Sequence, residues 1–581
     1  MQHTLAGLLS LLLFLQPFVA LGQQDDAILR YNERHHPVLD SGGMVASQSA
    51  TATEVGAAVL AQGGNAVDAA VAVGFALAVT LPRAGNIGGG GFMLVHLGET
   101  GETVALDYRE MAPPRATRDM FLDADGNVDP ERSRFSHLAS GVPGTVAGLH
   151  AAHDRYGSLP WRELLQPAIR LAHDGIIVSH DLAGLLAARR ERLGASEASL
   201  RYFYKDDGSA YAPGERLRQR DLARTLRLIA RQGPDAFYRG DIADLIVAEM
   251  ERNGGLIDAA ALAAYRPVFR EPVIGSYRGH DIVSMPPSSS GGVHIIQMLN
   301  VLEHFPVAEY GPGSADSVHL LTEVMKLAYA DRSKHLGDMD YYDVPLDWLT
   351  SKDYGAELAR GIDMASARPS ADIAAGTVPP AESPDTTHFS IMDGDGNAVA
   401  NTYTLNFSYG SGISVPGAGF LLNNEMDDFA AKPGVPNAFG LIGGEANAVQ
   451  PGKRPLSSMT PALVLKDGRP WLATGSPGGS RIITSVLQML VNVIDHGMNI
   501  ADATATPRIH HQWLPDELQL ESGFSPDTVA ELRRRGHNVT ASQAMGSLQS
   551  VMRGDELFRG ASDPRRPGAG SAGPAMHTAT H

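Results

Sequence analysis

Alanine-rich apolar runs broken by glycine open the chain and predict tightly packed helices. The run 52–62 ends at a Gly-Gly pair, which is typical of a helix C-terminus, and the run 66–79 follows it. Four consecutive glycines at 88–91 then lead into an apolar strand at 92–96. Because no Gly-Lys-Ser/Thr follows and the glycines enter a strand, the pattern favours close backbone packing over phosphate binding.

The middle and the end of the chain differ in pattern. From about residue 159 to 338 the pattern is mostly helical, interrupted by a Pro-, Ser- and Gly-rich stretch at 285–292. Residues 364–384 are rich in Ala, Pro and Ser and predict an exposed linker, where cleavage of the backbone would be tolerated. Residues 562–581 are expected to form a disordered tail.

Two strand-like runs around an Asp-Gly pair at 395–396 predict a first β-hairpin. If that pair forms a two-residue type I′ turn, Thr404 lies opposite Thr387, one residue from Thr386. A second hydroxyl would then reach Thr386 from the neighbouring strand. The alternative is an ordinary surface hairpin with cross-strand threonines.

A second predicted hairpin turns at Asp467-Gly468. Its pairing sets Ser458 opposite Pro477, beside Gly478 and Gly479, which precede an apolar helix. Two successive glycine N–H groups at a helix start can bind an anion, and with an acyl substrate they would form an oxyanion hole. The alternative is a glycine turn that allows tight packing of the strand against the helix.

Charge and side-chain chemistry limit the classes of ligand. The net charge of −18 argues against nucleic acid and anionic membranes as partners. The acid- and amide-rich segment 421–429 lacks EF-hand spacing, so calcium and an ammonium group are both open as its ligand. The adjacent His510 and His511 lack metal-ligand spacing and are expected to be structural. The sequence indicates no metal site and no cofactor.

The N-terminus indicates export. A Leu-rich run at 5–20 is followed by small residues, Ala20 and Gly22, that suit signal-peptidase cleavage. We therefore predict a signal peptide over 1–22, a periplasmic or secreted protein, and no stable membrane insertion after its removal; an uncleaved anchor is the alternative. The chain has no cysteine and thus no disulfide framework.

Six segments in order resemble the γ-glutamyltransferase (γ-glutamyltranspeptidase) family of N-terminal-nucleophile hydrolases, over about residues 44–563. They are 88–93, 107–113, 386–388, 423–429, 454–459 and 475–481. The resemblance implies an α+β fold, a four-layer αββα sandwich. It also implies a precursor that cuts itself between Asp385 and Thr386 into a large subunit, 23–385, and a small subunit, 386–581, which stay associated.

The resemblance also implies the chemistry. A threonine with a free α-amino group carries its own base, whose ordinary pKa is about 7.7–8.0. Thr386 would attack the γ-glutamyl carbonyl of glutathione and form an acyl-enzyme, Thr404 would hold and tune it, and Gly478 and Gly479 would stabilise the oxyanion. Transfer to water would give glutamate, and transfer to an amino acid or dipeptide acceptor would give a new γ-glutamyl compound.

The substrate-binding residues follow by the same analogy. Arg109 would grip the substrate α-carboxylate with help from Ser457 and Ser458, since a planar guanidinium forks onto a carboxylate. The α-amino group would be taken by Asn406, Glu425 and Asp428.

The sequence departs from the family at two positions. Glu425 stands where many bacterial relatives carry glutamine, so the contact to the amino group would be stronger or differently sensitive to pH. Phe439 stands in a lid-like loop, 432–444, where tyrosine is common. Because phenylalanine cannot donate the tyrosine's hydrogen bond, we expect a looser lid.

The sequence leaves two competing functions open. An acylase of the glutaryl-cephalosporin type would share the fold but should lack the full set of residues for an amino-acid head group. A secreted binding protein would keep the fold and remain a single uncut chain.

Overall fold

The computed structural model describes residues 33–373, 386–438 and 440–575. The predicted signal peptide, Asp385, Phe439 and residues 374–384 of the predicted linker lie outside these ranges. Within the described ranges, none of the helices combines the length and the apolar character that crossing a bilayer requires.

Most strands belong to two antiparallel sheets. Sheet I has the order β1-β18-β17-β13-β12-β9-β8, and sheet II has the order β19-β2-β10-β11-β3-β4-β7. In chain order the strands of the described residues are β1 (Val38–Asp40), β2 (Gly43–Ser47), β3 (Gly90–His96), β4 (Thr103–Tyr108), β5 (Ile176–Ile177), β6 (Arg216–Leu217), β7 (Val268–Arg270), β8 (Val273–Tyr277), β9 (His280–Ser284), β10 (Thr387–Asp393), β11 (Ala398–Thr404), β12 (Ala462–Lys466), β13 (Arg469–Thr474), β14 (Ile509–His510), β15 (Leu518–Leu520), β16 (Val539–Ala541), β17 (Gln549–Arg553), β18 (Phe558–Ser562) and β19 (Gly570–Ala572).

Helices cover the outer faces of the two sheets. In chain order the helices of the described residues are α1 (Ala50–Ala61), α2 (Ala66–Thr80), α3 (Pro130–Arg134), α4 (Thr145–Tyr156), α5 (Trp161–Leu164), α6 (Gln166–Asp174), α7 (His180–Ala188), α8 (Arg190–Gly194), α9 (Glu197–Phe203), α10 (Arg220–Gln232), α11 (Asp235–Tyr238), α12 (Asp241–Asn253), α13 (Ala259–Ala264), α14 (Gly291–Leu302), α15 (Val307–Tyr310), α16 (Ala315–His335), α17 (Leu346–Leu349), α18 (Lys352–Arg360), α19 (Arg481–Ile494), α20 (Ile500–Ala505) and α21 (Pro526–Arg534).

Successive side chains of a strand point to opposite faces of its sheet. Each sheet therefore packs against the other sheet on one face and against helices on the other, which gives four layers. Met44 and Leu463, from the two sheets, meet in a shared core between them. Val45, next to Met44, instead packs in the core of α1, α2 and α4 on the outer face of sheet II. Ile282 and Val464 face α14, α16 and α19 on the outer face of sheet I. The expected αββα sandwich is confirmed.

Both predicted subunits contribute strands to both sheets. In sheet II, β10 and β11 lie between β2 and β3, so strands from after Thr386 are flanked by strands from before it. In sheet I, β12 pairs with β9 in the same way. A cut before Thr386 would therefore leave two chains joined by extensive strand pairing.

One expectation about the chain's organisation is confirmed and one is wrong. The middle of the chain is mostly helical, from α5 to α16, and the short strands β7, β8 and β9 precede the Pro- and Ser-rich stretch. The disordered tail is wrong for residues 562–575: β19 pairs with β2, and the buried Asp563 forms an ion pair with Arg508 at 2.5 Å. Gly, Ser and Ala dominate this segment, so it carries no apolar pattern that would reveal a strand.

Candidate active site

Thr386 lies one residue before β10, with 7% of its surface exposed. Its hydroxyl lies 3.3 Å from the hydroxyl of Thr404 at the end of β11. The predicted pairing of Thr404 with Thr387 is wrong by one residue, because Thr387 pairs with Tyr403. The observed register brings Thr404 across from Thr386 itself.

The turn between β10 and β11 explains this shift. A type I′ turn needs two residues with positive φ, but in this loop only Gly396 has one, at 88°. The Asp393 carboxylate accepts hydrogen bonds from the N–H groups of Asp395 at 3.0 Å and Asn397 at 2.9 Å. These bonds stabilise a three-residue loop, and the additional residue moves the strand pairing by one.

The loop after β11 fixes the Thr404 hydroxyl. The backbone N–H of Asn406 donates to Thr404 Oγ1 at 2.8 Å, and the Asn406 side chain donates to the Asn424 carbonyl at 2.9 Å. A Cβ added at Gly89 would lie 1.9 Å from the Thr404 carbonyl oxygen. The glycine run therefore serves close backbone packing at this position, as the sequence predicted.

Arg109 is buried and engaged by two carboxylates. Its side chain is 1% exposed, Nη1 donates to Glu425, and Nη2 donates to Asp428 at 2.5 Å. Nε donates to the Pro455 carbonyl at 3.2 Å. Burial alone would lower the pKa of Arg109, but the nearby carboxylates outweigh it and raise that pKa. The guanidinium therefore stays charged and organises both acids.

A third carboxyl, Glu110, completes a cluster that the sequence did not reveal. Glu110 is fully buried, and within the described residues neither of its oxygens accepts a hydrogen bond. Burial raises its pKa to about 7, although the Arg109 charge opposes the shift. Burial likewise raises the pKa values of Glu425 and Asp428. Three carboxyls therefore share one guanidinium, and burial makes each of them easier to protonate than a carboxyl in water.

Ser457 and Ser458 face the same site from the segment before β12. The Ser457 hydroxyl accepts from the N–H of Met459 at 3.0 Å. The Ser458 hydroxyl accepts from Nη2 of Arg332 at 3.2 Å. The sequence did not reveal Arg332, which lies on the buried face of α16 after Ala328 and Tyr329. Other buried polar residues, such as Glu323 and Lys326, lie on the same helix, so no pattern in the sequence distinguishes Arg332 from them.

The second hairpin has the predicted turn. Asp467 and Gly468 both have positive φ, 52° and 72°, as type I′ requires. A bulge in β13 leaves Trp471 unpaired, between the pairs Val464–Leu472 and Leu465–Pro470, and so adds one residue before the glycines that follow β13. Gly478 and Gly479 have φ values of 137° and 56° just before α19 begins, and such values favour glycine.

One cavity brings together most of the predicted site. Its walls include these predicted residues: Arg109, Thr386, Thr404, Asn406, Glu425, Asp428, Ser457, Ser458 and Gly479. Arg332 also lines it, whereas Gly478 adjoins it through Gly479.

The histidine pair has the structural role expected of it. His510 contacts the Thr484 hydroxyl at 2.9 Å, and His511 contacts Asp516 at 3.1 Å. Among the described residues, one group has metal-ligand types close together: His319, Glu323 and His537. Its two histidines contact each other at 2.7 Å, and Lys326 pairs with Glu323 at 2.8 Å. The lysine charge beside the carboxylate opposes a bound cation.

Comparison with known proteins identifies the family. A family model described as gamma-glutamyltranspeptidase matches residues 52–573. The chain belongs to the γ-glutamyltranspeptidase family. It is 56% identical to the glutathione hydrolase proenzyme of Escherichia coli (strain K12), over 94% of this chain and 93% of that protein. It is 40% identical to the acylase ACY 1 proenzyme of Pseudomonas sp. (strain SE83), over 89% of this chain and 90% of that protein.

Solved structures agree with the γ-glutamyltranspeptidase fold. A cephalosporin acylase from Bacillus halodurans matches with a TM-score of 0.82 and 28% identity, over 95% of this chain and 99% of that one. The γ-glutamyltranspeptidase of Helicobacter pylori matches with a TM-score of 0.56 and 45% identity, over 60% of this chain and 97% of that one. The resemblance seen in the sequence is confirmed.

In this γ-glutamyltranspeptidase family member, both sides of the predicted cut supply the site. Arg109 and Arg332 precede Thr386 in the chain, whereas the carboxylates Glu425 and Asp428 follow it. The cavity therefore depends on the two segments staying together.

Proposed function

We propose that the protein is a self-processing γ-glutamyltransferase that cleaves the γ-glutamyl amide bond of glutathione and related compounds. The observation that carries the proposal is the 3.3 Å contact between the hydroxyls of Thr386 and Thr404, in a cavity that also holds Arg109, Glu425 and Asp428. The cavity combines a nucleophile with charges of both signs, which suits an amino-acid head group.

The first half of the proposed reaction forms an ester. After cleavage of the Asp385–Thr386 bond, the free amine of Thr386 takes the hydroxyl proton while Oγ1 attacks the γ-carbonyl carbon. The negative oxygen of the tetrahedral intermediate faces the N–H groups of Gly478 and Gly479. When the intermediate collapses, the amide C–N bond breaks, the leaving amine takes the proton, and the γ-glutamyl ester of Thr386 remains.

The second half releases the glutamyl group. Water or the amine of an acceptor attacks the ester carbonyl and loses a proton to the Thr386 amine. Breaking the ester bond then returns that proton to the threonine oxygen and releases glutamate or a new γ-glutamyl amide. Amino acids and dipeptides are the proposed acceptors.

The proposed head-group contacts follow the charges of the cavity. The substrate α-ammonium would lie against Glu425 and Asp428, with Asn406 as a further acceptor. The α-carboxylate would lie against Arg109, Ser457 and Ser458. These carboxylates favour a substrate with an α-amino group over a glutaryl compound, which has none.

The processing and location belong to the same proposal. Export through the 1–22 signal would bring the precursor to the periplasm or outside the cell. The segments 23–385 and 386–581 would remain associated as large and small subunits, and the shared sheets support this assembly.

One substrate comparison tests the proposed activity. The purified protein should release the aniline from a γ-glutamyl anilide, with and without a dipeptide acceptor, and should act far more slowly on the matching glutaryl anilide. The opposite preference would support an acylase. A lack of turnover with both anilides would support a binding protein.

A further inference from the structure

Arg332 carries a buried charge on the wall of the cavity that holds Thr386. It lies in the last turn of α16 and is 5% exposed. Its hydrogen-bond partners among the described residues are two serine hydroxyls, and it forms no ion pair within that part of the chain. Arg109, in contrast, pairs with both Glu425 and Asp428.

Arg332 braces the segment that contains the two site serines. Its Nε donates to the Ser290 hydroxyl at 3.0 Å, and that hydroxyl donates to the Ser457 carbonyl at 2.8 Å. Its Nη2 donates to the Ser458 hydroxyl at 3.2 Å. Arg332 and Ser290 precede the predicted cut and the two site serines follow it, so the brace joins the two proposed subunits.

These contacts also determine whether the hydroxyls of Ser457 and Ser458 donate or accept a hydrogen bond in the cavity. A hydroxyl has one proton to donate and lone pairs that accept. Ser458 already accepts from Arg332, and Ser457 already accepts from the N–H of Met459. The proton of each hydroxyl is therefore available for an acceptor in the cavity, such as a carboxylate.

An unpaired buried charge favours an anionic ligand. Removing a guanidinium from water is costly unless an opposite charge compensates it. Burial lowers the pKa of Arg332 to about 10, and the Asp428 charge opposes that shift. The side chain therefore remains cationic at neutral pH, and a carboxylate bound at Ser458 would face it.

We propose that Arg332 is a positioning residue for the substrate α-carboxylate: it holds the Ser458 hydroxyl as a donor and adds a second positive charge to that of Arg109. The inference rests on the proposed γ-glutamyl activity and names a residue that determines head-group specificity. It predicts that Arg332 matters for substrates with an α-carboxylate and matters much less for those without one.

Two anilides separate this role from a structural one. γ-Glutamyl anilide has the α-carboxylate, and 4-aminobutyryl anilide lacks it but keeps the amine. In Arg332→Gln, the ratio of their kcat/KM values should fall at least tenfold, through a higher KM for γ-glutamyl anilide. Lys334→Gln, an exposed position on the same helix, should leave the ratio unchanged.

Further variants test the contact to Ser458. Ser458→Ala should lower the same ratio, and the double variant should lose less than the product of the two single losses, because both remove one hydrogen bond. Arg332→Lys keeps the positive charge but lacks the planar guanidinium with its several N–H donors. It should give a kcat/KM ratio between those of the wild type and Arg332→Gln. Self-cleavage and melting temperature report whether each variant folds.

Several results would overturn the inference. They are an unchanged ratio in Arg332→Gln, an equal loss on both anilides, a multiplicative loss in the double variant, or a wild-type ratio in Arg332→Lys. If Arg332→Gln does not fold, the Lys and Ser458 variants decide the matter. Failure of the wild type to turn over γ-glutamyl anilide would instead refute the proposed function.

Discussion

Replacing Thr404 with valine isolates the contact between the two threonine hydroxyls. Valine keeps the shape of threonine and removes only the hydrogen-bonding oxygen. In the structure that oxygen lies 3.3 Å from the Thr386 hydroxyl and accepts from the N–H of Asn406 at 2.8 Å. Thr386 donates to this oxygen, and the Thr404 hydroxyl donates in turn to the Asn406 carbonyl at 3.5 Å. When Thr386 loses its proton to the amine, rotation of the Thr404 hydroxyl would let it donate to the attacking oxygen instead.

The expected loss follows from the lost hydrogen bond. A hydrogen bond to a charged group contributes about 1.5–3 kcal/mol, so the rate should fall by about 10- to 150-fold. Stability should fall as well, because the Asn406 N–H would be buried without a partner, at a cost of about 1–3 kcal/mol. Asn406 is only 3% exposed, so water offers little replacement.

The assay measures two rates on each variant. One is the kcat/KM of fully cleaved protein for γ-glutamyl anilide, and the other is the rate of self-cleavage of the precursor. Thr404→Ser, which restores the hydroxyl, should recover most of both rates. Thr402→Val is the matched control, because it removes a hydroxyl on the same strand that contacts His388 instead.

Two outcomes would refute this reasoning. Thr404→Val could keep both rates within threefold of wild type, which would show that the hydroxyl contributes little. Alternatively, Thr402→Val could lose as much activity, which would assign the effect to the stability of β11.

Three other changes follow from the same structure. Gly475→Ala would place a Cβ 2.4 Å from the His388 ring and should lower the free energy of unfolding by about 1–3 kcal/mol, measured as a lower melting temperature. Gly184→Ala is the control and should not lower the melting temperature, because there is open space around Gly184. Because the pKa of Glu110 lies near 7 in the folded protein instead of its ordinary 4.5, its ionisation costs up to about 3 kcal/mol of stability as pH rises from 5 to 8. Glu110→Gln should therefore match the wild-type melting temperature at pH 5 and exceed it at pH 8, and equal values at pH 8 would contradict the assignment. Asp428→Asn should raise the KM for γ-glutamyl anilide about tenfold or more while self-cleavage stays complete, and an unchanged KM would count against the head-group model.

Local signals in the sequence predicted much of the fold and part of the site. Asp467 and Gly468 form the expected type I′ turn, because both residues tolerate positive φ. The first hairpin also exists, but its register was off by one. The Asp-Gly pair could form either loop, and the outcome depends on the Asp393 carboxylate accepting two backbone N–H groups.

Contacts between residues that lie far apart in the chain could not be predicted from the sequence. Arg332 lies far from Ser458 in the chain, and only the packing of α16 brings them together. The ion pairs of Arg109 and the burial of Glu110 likewise depend on how three segments meet. The strand β19 was missed because it consists of small residues that pair by backbone alone.

The mass of the purified polypeptides tests the central claim most directly. We predict two chains on a denaturing gel, the smaller one beginning at Thr386 by N-terminal sequencing and by intact mass. Thr386→Ala should remain a single chain and should not turn over γ-glutamyl anilide. A single uncut chain that is active, or a smaller chain with another first residue, would contradict the assignment of Thr386 as the nucleophile.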